Sequence, residues 1–111
     1  MLYVFDVPMY GTITQMPHAE HENATDIACV TGRPVRAVTS GEGKVHYSPT
    51  MGWVFTLTSP SGKVVTSYSH LDAAYPPGWC ERGDVIGECG NTGSWSTGPH
   101  LHFWSNVRYT F

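Results

Sequence analysis

Two histidines separated by a single residue lie near the end of the chain, in the segment His100-Leu101-His102. On a β-strand alternate side chains share a face, so both imidazoles would point to one side while Leu101 points to the core. Imidazole is a common zinc ligand, and two of them on one face suit a metal site. The alternative is a strand whose polar face is simply exposed to solvent.

Other potential ligands and proton carriers lie earlier in the sequence, which contains six histidines. His21 and Asp26 lie where a polar loop enters the apolar segment 27–30. A carboxylate at the mouth of a buried strand needs a partner, and a cation would serve. Taken alone, Asp26 is more simply explained as a residue that caps a turn. His70 ends the strand-like segment 63–70, and taken alone it would be an ordinary surface histidine.

The elements that must position these side chains are short. Twelve glycines and eight prolines in 111 residues leave little room for long helices. Strand-like segments recur about every 8 to 12 residues, a spacing typical of an all-β sandwich or barrel. We therefore expect a compact, mainly β fold with antiparallel sheets, in a single domain over residues 1–111. The expected strands are 2–5, 12–14, 26–30, 35–38, 44–47, 53–58, 63–70, 84–87 and 100–104.

Two details of this pattern concern the centre of the chain. The segment 53–58 alternates, which predicts that Trp53, Phe55 and Leu57 lie on one face. The small residues of the segment 40–43 predict a turn before the strand that follows.

Composition excludes several classes of partner. The formal net charge is -3, with six basic and nine acidic side chains. The chain therefore has no basic footprint for nucleic acid, and we expect no nucleic-acid partner. No run approaches the roughly 18 apolar residues of a membrane helix, so we expect no membrane insertion. The first residues carry no signal-peptide pattern.

The three cysteines, Cys29, Cys80 and Cys89, cannot all pair with one another. An odd count without a signal peptide favours reduced thiols. A bridge between Cys80 and Cys89 is the alternative.

Several motifs follow one another along the chain in a family-specific order. Ala24-Thr25-Asp26-Ile27-Ala28 precedes a Gly-x-Pro-Val turn at 32–35, and Tyr68-Ser69-His70-Leu71 is similar to a Tyr-x-His-Leu segment. Gly90-Asn91-Thr92-Gly93 and the segment 96–103, which ends in His-Leu-His-Phe, complete the set. Together they resemble the lysostaphin and LytM-type zinc metallopeptidases, which cut peptide cross-bridges of peptidoglycan. The resemblance runs from about Gly11 to Trp104.

This resemblance implies a metal site and a catalytic pair. One zinc ion per chain would be bound by His21, Asp26 and His102, with a water in the fourth position. His70 and His100 would be the catalytic histidines that do not bind the metal. The sequence does not show which of the two activates water, which stabilises the oxyanion and which protonates the leaving amine.

The chain departs from the family pattern in three places. The family's first motif has histidine four residues before the aspartate, but Glu22 is at that position and His21 lies one residue earlier. Glu22 and His18 therefore remain alternatives to His21 as the first ligand. The loop 93–98 is one residue longer than the common form, and Trp104 stands where an acidic residue is usual.

The function implied is hydrolysis of peptide bonds in bacterial peptidoglycan, so that the partners are peptide cross-bridges. The alternative is an inactive module of the same fold that binds cell walls or serves a phage tail. An amidase is a further alternative, but the arrangement of active-site residues that an amidase needs has no match in the sequence. We expect action at the cell wall, and the absence of a signal peptide favours a phage virion component or lysin, with phage tail proteins as possible partners.

Aromatic residues in loops are candidates for a substrate groove. They are Tyr10, Trp53, Tyr75, Trp79 and Trp95. Trp95 is the strongest candidate because it lies between two glycines near the His100 strand, whereas Trp53 is better explained by packing.

Overall fold

The computed structural model describes residues 1–15 and 23–111. These ranges form twelve strands and contain no helix that is long and apolar enough to cross a membrane. The strands are β1 (Tyr3–Val4), β2 (Ile13–Gln15), β3 (Ala24–Ala28), β4 (Pro34–Arg36), β5 (Gly41–Ser48), β6 (Gly52–Thr58), β7 (Val65–Leu71), β8 (Ala73–Ala74), β9 (Gly78–Cys80), β10 (Val85–Glu88), β11 (His100–Ser105) and β12 (Tyr109–Thr110).

The strands form three sheets. The largest has seven antiparallel strands in the order β2-β3-β11-β7-β6-β5-β9. A three-stranded antiparallel sheet has the order β4-β10-β8, and β1 pairs with β12 in parallel. The expectation of a mainly β, antiparallel fold is therefore confirmed, although the parallel β1–β12 pair was not predicted.

The core lies on one face of the seven-stranded sheet. Phe55, Tyr68, Leu101 and Phe103 come from three adjacent strands and are fully buried. They pack with residues of the smaller sheet such as Ile86, because each sheet has an apolar face to remove from water. The opposite face of the seven-stranded sheet is open, and Leu101 points to the core between two less buried histidines, as the alternation predicts.

Trp53 is much less buried than Phe55 and Leu57, with which the alternation predicts a common face. The pairing of β6 with β5 is regular through Trp53, and the extra residue at the register shift between β6 and β7 lies in β7, between Tyr68 and Leu71. Trp53 is 40% exposed. Its ring meets that of Tyr47 edge to face at 5.2 Å between centroids, so it does not pack in the core.

The segment 40–43 is not a turn, because β5 begins at Gly41. The glycines serve close packing instead. A Cβ at Gly43 would collide with the Phe55 ring, and one at Gly41 would collide with the backbone of Thr58. Glycine at a point of close approach and glycine in a turn look alike in sequence.

The prediction of reduced thiols is also wrong for two of the three cysteines. Cys29 and Cys89 form a disulfide with a Cα–Cα distance of 6.6 Å, while Cys80 is a buried free thiol. The backbone brings them together, because Gly32 donates to the Cys89 carbonyl and Cys89 donates to the Arg33 carbonyl, both at 2.8 Å. Counting cysteines could not reveal this juxtaposition.

Removing the disulfide should destabilise the protein markedly. The bridge joins residues 60 positions apart, and the loop-closure relation gives about 4 kcal/mol for a loop of that size, with measured values often nearer 2 kcal/mol. We expect the double variant Cys29→Ala/Cys89→Ala to lose about 2–4 kcal/mol of unfolding free energy in urea. Alkylation of the unreduced, unfolded wild-type protein should label only Cys80, and three labels would contradict the pairing.

Candidate metal and catalytic site

A carboxylate and an imidazole meet on the open face of the seven-stranded sheet. Asp26 of β3 and His102 of β11 are paired directly across the two strands. Asp26 Oδ1 accepts a hydrogen bond from His102 Nδ1 at 2.7 Å. The two side chains are 26% and 24% exposed, so the pair is reachable from solvent but partly sheltered.

The Asp26 carboxyl is held in its charged form. Burial alone would raise its pKa, but the hydrogen bond from His102 and the nearby histidines outweigh this and lower the pKa below its usual range. Asp26 is therefore an anionic oxygen donor at neutral pH. An oxygen and a nitrogen donor of this kind are ligands that zinc accepts, and a metal bound there would replace the proton that the pair shares.

A third protein ligand is not found among the described residues. Within residues 1–15 and 23–111, no group of three His, Cys, Asp or Glu side chains could hold a metal ion. His21 and its alternatives His18 and Glu22 all lie outside the described residues. The structure thus brings Asp26 and His102 together and leaves the identity of the first ligand a prediction.

His70 reaches the site through an unusual backbone conformation. It is the neighbour of Ser69, which pairs with His102 on the open face, so simple alternation would turn His70 to the opposite face. Its φ of 62° departs from an extended strand, and the ring lies 6.2 Å from that of His102 between centroids. The backbone N–H of His70 donates to the Met51 carbonyl at 2.8 Å, which fixes this turn.

In His70 and in His100, the Nδ1 atom of the ring lies within hydrogen-bond distance of a backbone carbonyl oxygen. His70 Nδ1 is 2.7 Å from the Thr92 carbonyl, and His100 Nδ1 is 2.8 Å from the Gly98 carbonyl. Because a carbonyl only accepts, each Nδ1 must carry the proton, and Nε2 of the neutral ring is left as the acceptor. The two rings are 4.8 Å apart between centroids. His70 is 3% exposed, and this burial lowers its pKa.

The loop 91–99 supplies supporting residues that the sequence reasoning did not single out. The Thr92 carbonyl accepts the hydrogen bond from His70. The Thr92 hydroxyl Oγ1 donates to the Leu71 carbonyl at 2.6 Å and accepts from the backbone N–H of Trp53. Ser96 Oγ donates to Asn91 Oδ1 at 2.5 Å and lies 3.1 Å from the Gly98 carbonyl, the acceptor of His100. Hydroxyl side chains in a glycine-rich loop before a histidine strand were the available signal.

A groove extends from His102 across the open face. It is lined by His46, Ser48, Met51, Val54, Ser67, Ser69, His102 and Trp104. None of the five aromatic residues predicted from the loops lines this groove. Trp95, the strongest candidate from the sequence, is 70% exposed, and its backbone N–H donates to the Thr50 carbonyl. The aromatic that does line the groove is Trp104.

The chain has counterparts among known proteins. The model of peptidase family M23 matches residues 20–109. The chain belongs to peptidase family M23, which confirms the resemblance drawn from the motifs.

Individual relatives agree with this assignment. The chain is 36% identical over 85 residues to the DD-carboxypeptidase/endopeptidase Mpg of Neisseria meningitidis serogroup B, covering 74% of this chain and 19% of that protein. It thus spans about one fifth of the length of the curated relatives it matches.

Two solved structures share the fold. A zinc-containing peptidase from Vibrio cholerae has a TM-score of 0.76 and 33% identity, over 89% of this chain and 34% of that one. The catalytic domain of the antimicrobial peptidase lysostaphin from Staphylococcus simulans has a TM-score of 0.72 and 30% identity, over 93% of this chain and 79% of that one.

Proposed function

We propose that residues 1–111 act as a zinc-dependent endopeptidase that hydrolyses peptide bonds in bacterial peptidoglycan. The observation that carries this proposal is the Asp26–His102 pair with the rings of His70 and His100 beside it, on an open sheet face. Family membership supports peptidase activity. The peptidoglycan substrate follows from the lysostaphin-like motifs.

Asp26 and His102 would hold one zinc ion together with His21. When bound, zinc acts as a Lewis acid that lowers the pKa of a water molecule and polarises a carbonyl. The donors on this chain suit that role, because Asp26 is ionised and His102 presents Nδ1 on the same side. The zinc-containing Vibrio cholerae relative supports the choice of metal.

His70 and His100 would carry the protons of the reaction. With Nδ1 of each ring donating to a carbonyl, Nε2 is the atom that can accept a proton from water and return it to the leaving amine. The two carbonyl contacts also fix the ring orientations before substrate binds, which reduces the reorganisation needed during the reaction. Either ring can take either role.

The place of action that we propose is the bacterial cell wall, outside the reducing cytoplasm. The Cys29–Cys89 disulfide supports this, because disulfides persist in oxidising compartments. A phage virion component or lysin is the carrier that we propose, with phage tail proteins as partners in the first case.

Digestion of purified peptidoglycan tests the proposed function directly. We expect the purified protein to release peptide fragments with new amino termini, measured by mass spectrometry. Thorough chelation should stop the release, and added zinc should restore it, because the metal is needed for the chemistry. An inactive wall-binding module would sediment with the peptidoglycan and release nothing. Undiminished cleavage by protein shown to be metal-free would contradict the metal-dependent mechanism.

A further inference from the structure

The loop 91–99 determines where the hydrogen-bond acceptors of two histidines lie. The Thr92 carbonyl is 2.7 Å from His70 Nδ1, and the Gly98 carbonyl is 2.8 Å from His100 Nδ1. The loop contains no strand, so regular backbone pairing does not fix its shape. The orientation of both rings therefore depends on what holds this loop in place.

The loop crosses from one sheet to another. It begins after β10 of the three-stranded sheet and ends at β11 of the seven-stranded sheet. At its tip the Ser94 N–H donates to the Pro49 carbonyl at 2.9 Å, and at its base the His100 N–H donates to the Gly90 carbonyl at 3.1 Å. The distance between the two ends of the loop is thus set by how the two sheets lie against each other.

The Cys29–Cys89 disulfide joins the two sheets at the base of this loop. Cys89 follows β10 directly, and Cys29 follows β3, the strand that pairs with β11. The Cys29 N–H also donates to the carbonyl of Pro99, the last residue of the loop, at 3.3 Å. The bridge therefore links the start of the loop covalently to the strand beside which the loop ends.

The metal-binding pair depends on this bridge much less. Asp26 and His102 lie opposite each other inside the continuous antiparallel pairing of β3 with β11. The backbone hydrogen bonds of that ladder hold the two residues together whether or not the bridge is closed. Opening the bridge should therefore disturb the acceptors of the catalytic histidines more than the metal ligands.

We propose that Cys29 and Cys89 are positioning residues for His70 and His100, and that full hydrolytic activity requires the bridge between them to be closed. The proposal rests on the proposed function and deepens it, because it states how that site is regulated. In a reducing compartment the chain would have a low turnover, and oxidation would raise it.

A phosphine can open the bridge and a small disulfide can close it. Cys29 is partly exposed whereas Cys89 is buried, so the phosphine attacks Cys29 Sγ and Cys89 leaves as a thiolate. Water then takes the phosphorus as phosphine oxide and supplies the protons of both thiols, while phosphorus gives up two electrons. Oxidised glutathione reverses the change, because it takes two electrons from the thiols and leaves as two molecules of glutathione.

Kinetics on cross-linked muropeptides, released from peptidoglycan by a muramidase, test this proposal. The double variant Cys29→Ala/Cys89→Ala and the phosphine-reduced wild-type protein should keep their zinc, lose about tenfold in kcat and keep KM within about twofold, because misplaced catalytic groups slow the reaction without weakening binding. A phosphine is used because thiol reductants bind zinc. Oxidised glutathione should restore the rate of the reduced wild-type protein, and the double variant should respond to neither reagent.

Leu57→Ala is the control for a general loss of stability. Leu57 is fully buried, and its neighbours across β6 are Gly43 and Thr66, which lie outside the loop. Its truncation lowers the free energy of unfolding and should leave kcat unchanged below the unfolding transition. A wild-type kcat in the double variant, an equal fall of kcat in Leu57→Ala, or loss of zinc together with the bridge would overturn the proposal.

Nitrogen-15 NMR of the imidazole rings gives a readout that needs no substrate. In the oxidised protein, neutral His70 and His100 should each show a protonated Nδ1 and an unprotonated Nε2, as their carbonyl contacts require. In the double variant this pattern should give way to a mixture of tautomers. If the wild-type protein hydrolyses nothing, the proposed function fails and the positioning role is judged by these spectra alone. Identical ring signals with and without the bridge would overturn it.

Discussion

The variant His102→Ala is expected to bind no stoichiometric zinc and to show no measurable peptidase activity. His102 Nδ1 and Asp26 Oδ1 are within 2.7 Å of each other, so loss of the imidazole leaves a single described donor at the site. A catalytic zinc site needs about three protein ligands, and one carboxylate with solvent does not retain the ion. Elemental analysis after dialysis measures the effect. One tightly bound zinc per chain in His102→Ala would show that the ligand set is wrong.

The same titration identifies the first ligand. We expect His21→Ala to lose zinc, whereas Glu22→Ala and His18→Ala retain it, because an imidazole completes the donor set better than a second carboxylate. His46→Ala is a suitable control for the general effect of removing a histidine, since His46 is exposed and lies about three strands away from His102. Normal affinity in His21→Ala, with loss in one of the other two, would assign the ligand to that residue instead.

Replacement of either catalytic histidine should lower kcat by about 100-fold or more while zinc and fold are retained, the usual contribution of a positioned acid or base. For His100, alanine is adequate, because the residue opens a regular strand. For His70 the better variant is His70→Asn, because asparagine tolerates the left-handed φ of 62° at this position. The measurement is the initial rate of muropeptide hydrolysis, with zinc content and circular dichroism recorded on the same samples.

Comparison of His70→Ala with His70→Asn separates the loss of a proton carrier from the effect of backbone strain. If His70→Ala loses both stability and activity whereas His70→Asn loses activity alone, the loss of stability comes from strain and the loss of activity from the missing proton transfer. A His100→Ala variant that digests peptidoglycan at the normal rate would remove His100 from the mechanism.

The sequence made the relation of His100, Leu101 and His102 predictable, because it depends only on the two-residue period of a strand. The burial of Leu101 and the position of His102 on the open face agree with that period. The pairing of Asp26 with His102 depends on strand register, which no local pattern specifies. The order of the motifs, and not periodicity, predicts that Asp26 and His102 belong to one site.

Three features were beyond local reasoning for physical reasons. The turn of His70 toward the site depends on a left-handed residue held by the Met51 carbonyl, 19 positions earlier in the sequence, and the alternating pattern gives no sign of it. The Cys29–Cys89 bridge depends on contacts between the ends of β3 and β10. The 40% exposure of Trp53 depends on what covers its end of β6, because alternation predicts only the face to which a side chain points.

The parallel pairing of the first and last strands has a mechanical consequence. Tyr3 pairs with Tyr109 and Val4 with Thr110, and the Tyr3 and Phe5 N–H groups donate to the Arg108 and Thr110 carbonyls at 3.0 and 2.9 Å. In parallel strands the amino end of one and the carboxyl end of the other point in opposite directions. Tension applied through the two ends would therefore shear these hydrogen bonds together instead of unzipping them one at a time. The β1–β12 pair would therefore resist the force before β3 and β11, the strands that carry Asp26 and His102, are pulled apart.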